Sequence, residues 1–88
     1  MQSEETEMQN EEKQMIIGER IKEVFDSMPR RCTVTWFAGQ LHCDRRNIYR
    51  IFLKENIDVV LLLRISKVLN HNFFTDLSRW YEEGRIVQ

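Results

Sequence analysis

Glycine, proline and cysteine are all scarce in this chain: three, one and two residues respectively among 88. With three glycines in the whole chain, a Gly-rich loop that cradles a nucleotide is not expected. Cys32 and Cys43 form no CxxC, and His42 and His71 do not complete a zinc-ligand spacing, so neither a metal site nor a structural disulfide is expected. Reduced thiols of a cytoplasmic protein are the default reading. There is no run of about 18 apolar residues, the minimum for a membrane span. The acidic start of the chain argues against a secretory signal, which needs a basic start and an apolar stretch. No Ser/His/Asp grouping and no pair of carboxylates placed by apolar neighbours stands out. The expectation is therefore a protein that is not an enzyme, with no cofactor, no membrane and no small-molecule substrate.

What is present is a globular composition, with 42% apolar residues, in a chain long enough for one small domain. The formal net charge of −1 conceals a separation of signs. Residues 1–14 carry five glutamates against Lys13, a net of −4. Residues 28–54 carry Arg30, Arg31, Arg45, Arg46, Arg50 and Lys54 against Asp44 alone, a net of +5. The basic stretch fits a polyanionic partner. The plainer reading is a solvated basic face.

Residues 1–14 show no apolar periodicity and read as a flexible acidic tail, leaving 15–88 as the folded domain. A first helix is expected over 15–28, where Ile17, Ile21, Val24, Phe25 and Met28 form one stripe before Pro29. Thr33 can cap a second helix over 34–41, and Asp44 a third over 45–53. Asp58 can cap a fourth over 59–69. VVLLL alone could be a strand, but Ile65, Val68 and Leu69 continue it at helical spacing. Being apolar over much of its circumference, this helix should be central to the core. Asn72 can cap a fifth over 73–83, with Phe73, Leu77, Trp80 and Tyr81 on one stripe and Gly84 as its stop. Phe73 and Phe74 read as core anchors. The fold class is all-α, a compact bundle of about five short helices.

Within it, residues 34–53, VTWFAGQLHCDRRNIYRIFL, are the most informative. Phe37, Ala38 and Leu41 make one apolar face, and Ile48, Ile51 and Phe52 another. Arg46 and Arg50, four apart, share the opposite side of the third helix. The spacing resembles the helix-turn-helix of the lambda-repressor-like (XRE-type) regulators. Counting Val34 as the first position, Ala38 fills the small fifth position, where the two helices pack closest. Phe37, Leu41, Cys43, Ile48 and Ile51 fill the apolar fourth, eighth, tenth, fifteenth and eighteenth. His42 stands where a glycine is frequent because the turn favours a left-handed backbone. Val34 replaces the glutamine with which many members contact a phosphate. With the flanking helices, the resemblance extends to roughly 15–83.

The resemblance implies a DNA-binding transcriptional regulator, bacterial or from a mobile element. It would bind double-stranded DNA as a homodimer, with helix 45–53 in the major groove. It assigns base contacts to Arg45, Arg46 and Arg50, whose guanidinium forks match guanine O6 and N7. Neutralising phosphate, or solvating the helix, is the plainer role for each. Backbone contacts are expected from Arg30, Arg31, Thr33, Thr35, Asn47, Tyr49 and Lys54. Thr33 and Thr35 stand where free N–H groups and the helix dipole favour phosphate, and capping by Thr33 is compatible with that. Tyr49 can pack on phosphate or a thymine methyl, or only on the protein surface. Trp36 should face largely outward; it can stack on the DNA backbone, meet a partner or fold over arginine side chains, and packing on another part of the domain is the favoured reading. The rival reading is a protein-interaction or antitoxin-like module that keeps the fold and works through its apolar, aromatic C-terminal surface.

Overall fold

The computed structural model describes residues 16–84, and every regular element within them is helical. There are five: α1 (Ile17–Asp26), α2 (Val34–Leu41), α3 (Arg45–Ile51), α4 (Val59–Leu69) and α5 (Phe73–Glu82). The acidic tail expected over 1–14 lies outside the described residues.

Four of the helices begin where a short polar side chain was expected to cap them. Thr33 Oγ1 accepts the Trp36 N–H at 3.1 Å and Asp44 Oδ1 accepts that of Arg46 at 3.2 Å. Asp58 Oδ2 accepts the Leu61 N–H at 2.9 Å and Asn72 Oδ1 that of Phe74 at 3.0 Å. Each satisfies an N–H that has no partner within its own helix. Three ends were placed too late, that of α5 by a single residue. α1 stops at Asp26, where Ser27 Oγ turns back onto the Val24 carbonyl at 2.6 Å; Pro29 disfavours helical backbone at Met28. α3 stops at Ile51, which leaves Phe52 in the following turn as a buried plug.

The core forms where the apolar faces meet. Phe25 of α1 stacks on Phe37 of α2 at 5.2 Å between ring centroids, and Phe52 lies 5.7 Å from Phe25. Around them Ile21, Ile48, Leu62, Ile65 and Phe73 are almost wholly enclosed. α2 packs on α3 and α4, and α4 packs on α5. α1 joins α3 through Gly18, whose N–H donates to the Lys54 carbonyl at 2.9 Å. A Cβ at Gly18 would overlap the Ile51 carbonyl oxygen and sit 2.6 Å from the Phe52 carbonyl. Only a glycine permits that approach.

Three packing expectations need correction. α4 buries one face only, Leu62, Ile65 and Leu69, while Val59 and Val60 are more than 60% exposed. Its first turn carries more apolar side chains than α2 and α5 can cover. On α5 the buried stripe is Phe73, Asp76 and Trp80; Tyr81 is 81% exposed and Leu77 sits at the edge. Phe74 is half-buried rather than a core anchor. The cause is Asp76, which takes the inward position between Phe73 and Trp80. Its carboxylate accepts hydrogen bonds from Arg20 Nε of α1 at 3.2 Å and Arg79 Nη1 at 3.4 Å, and lies 2.7 Å from His71 Nε2. Turning Asp76 inward leaves Tyr81 on the solvent side of the helix.

Candidate nucleic-acid interface

α2 and α3 are joined by the three residues His42, Cys43 and Asp44. Such a short connection needs a residue that reverses the chain, and His42 does so with φ 59° and ψ 45° in the left-handed region. The His42 and Cys43 N–H groups then donate to the Gly39 and Ala38 carbonyls, closing the end of α2. Ala38 is 3% exposed. The left-handed turn expected at position 42 is thus formed by a histidine.

This connection fixes how α3 is presented. Ile48 and Ile51 face the core and are buried, so the opposite side of the helix is held towards solvent. Arg46 lies on the crest of that side, since helical rotation places it farthest from both isoleucines. Arg45 and Tyr49 lie on the flank nearer α2, and together with Arg46, Thr35 and Gly39 they line a shallow concavity. Asn47 and Arg50 lie on the other flank, in a second concavity shared with Lys54 and with Leu61 and Arg64 of α4. Arg50 Nη1 touches Asn47 Oδ1 at 3.5 Å. Tyr49 is half-exposed, its ring edge-on to Phe52.

All three arginines of α3 are exposed, and among the described residues none of them forms an ion pair. Asp44, the one carboxylate of the basic stretch, caps α3 through its Oδ1. Arg30 and Arg31 are exposed in the turn before α2, and Thr35 is exposed on its first turn. The Thr33 hydroxyl is engaged as the cap of that helix. The expected contacts therefore fall into three places: the entry to α2, the α2 flank of α3, and its α4 flank.

Two residues of the surface were not singled out from the sequence. Gly39 lines the α2 concavity, and beyond the neighbouring backbone of its own helix nothing lies within 4 Å of where its Cβ would be. Arg64 reaches from α4 to the end of α2, its Nη2 donating to the Leu41 carbonyl at 3.0 Å. Nothing in the local pattern of α4 marks Arg64; only the packing of α4 beside α2 brings it to this face. Trp36 is half-buried against the core, with its ring 6.3 Å from that of Phe37.

Cys32 and Cys43 are free thiols. No described helix is long and apolar enough to cross a membrane. Among the described residues, no three His, Cys, Asp or Glu side chains gather as a metal site would require. Comparison of the chain with protein-family models, with curated proteins and with solved structures finds no match.

Proposed function

We propose that this protein is a sequence-specific, double-stranded DNA-binding transcriptional regulator of the lambda-repressor-like kind. In this reading α2 and α3 are its helix-turn-helix and α3 is the helix that enters the major groove. The observation that carries the proposal is the outer side of α3. It displays Arg45, Arg46 and Arg50, exposed and free of ion pairs among the described residues, on a helix whose inner side is locked into the core. An α-helix with its side chains is about 10–12 Å across, close to the width of the major groove. Arginine is the side chain best matched to a guanine edge. Arg30, Arg31, Thr33 and Thr35 at the entry to α2, with Asn47, Tyr49 and Lys54, supply contacts to phosphate and sugar. Such contacts set register without reading sequence. One seven-residue helix spans only a few base pairs, so two copies binding adjacent half-sites give the needed discrimination.

Selection of bound sites from a pool of random duplexes tests this directly. A recovered palindrome with half-sites about one turn apart is the expected result. A pool that stays random after repeated rounds at physiological salt would overturn sequence-specific binding. A second reading, a protein-interaction module on the same fold, draws support from the exposed Val59, Val60, Leu63 and Tyr81. It predicts that a variant lacking all three α3 arginines keeps its cellular effect.

A further inference from the structure

The α4 flank of α3 holds a cleft in which the reading above gives Arg50, Asn47 and Lys54 separate contacts and gives Arg64 none. Its floor is apolar, made by Leu41, Ile51 and Leu61. Its rim carries Asn47, Arg50, Lys54 and Arg64, and no acidic residue lines it. Lys54 and Arg64 form no ion pair among the described residues. Arg64 is also held in place: the bond from Nη2 to the Leu41 carbonyl fixes one edge of its guanidinium and leaves its other N–H groups uncommitted. A cationic group anchored by a neutral acceptor keeps its full charge for an external anion.

Position then identifies the anion. A helix lying in the major groove nearly fills it, so its two flanks face the two DNA strands. The α2 flank, with Arg30, Arg31 and Thr33 beyond it, faces one strand. The cleft with Lys54 and Arg64 faces the other. We propose that this cleft binds a phosphodiester of that second strand, with Lys54 and Arg64 as its charged ligands and Asn47 and Arg50 at its rim. The inference rests on the DNA reading above and adds α4 to the interface. A clamp on both strands holds α3 at one depth and angle, which the short helix cannot do by itself.

The test compares Arg64→Gln, Lys54→Gln and Arg64→Lys with the unaltered chain. Affinity for a selected duplex and for a scrambled one is measured across a salt series. Arg64→Gln and Lys54→Gln should each weaken both duplexes by the same factor and reduce the steepness of log affinity against log salt by about 0.9. Arg64→Lys should keep the slope. Lys54→Gln guards against a folding effect, because the Lys54 backbone carbonyl, not its side chain, holds Gly18. Thermal unfolding of each variant completes that control. Wild-type slopes in both Gln variants, with wild-type binding intact, would overturn the cleft while leaving the DNA reading standing. Should the unaltered chain bind no duplex, the DNA reading fails and titration with inorganic phosphate decides the cleft. A saturable shift of the Arg64 side-chain N–H resonance, absent in Lys54→Gln, retains it as an anion site. No shift removes it.

Discussion

Arg46 stands on the crest of α3, and Arg31 stands in the turn before α2; both are exposed. Their different places predict different losses. Arg46→Ala should relax sequence preference by about 1–3 kcal/mol, the worth of a good bidentate base contact. Arg31→Ala should weaken selected and scrambled DNA alike, because a phosphate contact carries no sequence information. Affinities of both variants for both duplexes at one salt concentration make the comparison. If Arg46→Ala weakens both equally while Arg31→Ala narrows the gap, α3 is not the reading helix. Gly18 matters on a different footing. Alanine is the better helix former by about 1 kcal/mol, yet here its methyl would strike the Ile51 and Phe52 carbonyls. Those are backbone atoms at the C-terminal end of α3 and cannot swing aside. Gly18→Ala should therefore destabilise the fold by about 1–3 kcal/mol, the usual cost of overpacking. A chemical denaturation midpoint equal to wild type would show that α1 shifts without cost.

At the scale of elements, the caps at Thr33, Asp44, Asp58 and Asn72 were legible because capping is local: a side chain bonds an N–H two or three residues ahead. The rotation of α5 was not legible. Its sequence offers an apolar stripe through Leu77 and Tyr81, and the structure instead turns Asp76 inward. His71 and Arg79 are local partners of Asp76, but its third, Arg20 of α1, lies 56 residues earlier in the chain, so no window on α5 contains it. Burial pushes the Asp76 carboxyl up, but the hydrogen bonds and charges of His71 and Arg20 outweigh it and hold the group below its ordinary range. A depressed folded pKa means that the unfolded chain binds the proton more readily. The stabilisation is therefore complete above the ordinary aspartate value of about 3.9 and is lost as pH falls through that range to the lower folded value. Asp76→Asn should cost about 1.5–3 kcal/mol at neutral pH, the range for bonds to a charged group. The difference in melting temperature between Asp76→Asn and wild type should shrink as pH falls from 5 towards 3. A constant difference over that interval would mean that the ion pairs with Asp76 add nothing to stability.

On the scale of the whole molecule, charge separation is the dominant feature. The net of +5 on residues 28–54 sits on α3 and in the turns before α2 and after α3, whereas residues 1–14 carry −4. Duplex binding should therefore weaken steeply with salt, by a slope of roughly 0.9 for each phosphate neutralised. Removing residues 1–14 should leave cooperative unfolding intact and slightly strengthen binding to scrambled DNA. The gain should be small, since screening limits the repulsion beyond about 8–10 Å at physiological salt. Loss of the thermal transition on truncation would show that the tail contributes to the fold. An affinity unchanged between low and physiological salt would count against a polyanionic partner altogether.

The sequence by itself determined the number and order of the helices, four of their N-terminal caps and the apolar faces of α1 to α3. Each depends on residues within a turn or two of one another, where helical period and side-chain reach leave little choice. Tertiary structure decided what depends on distant neighbours. It set the close approach at Gly18, the inward turn of Asp76, the exposure of Val59 and Val60, and the arrival of Arg64 beside α3. Those positions follow from which surfaces meet when the bundle closes, and a periodic pattern along one helix holds no record of its partner.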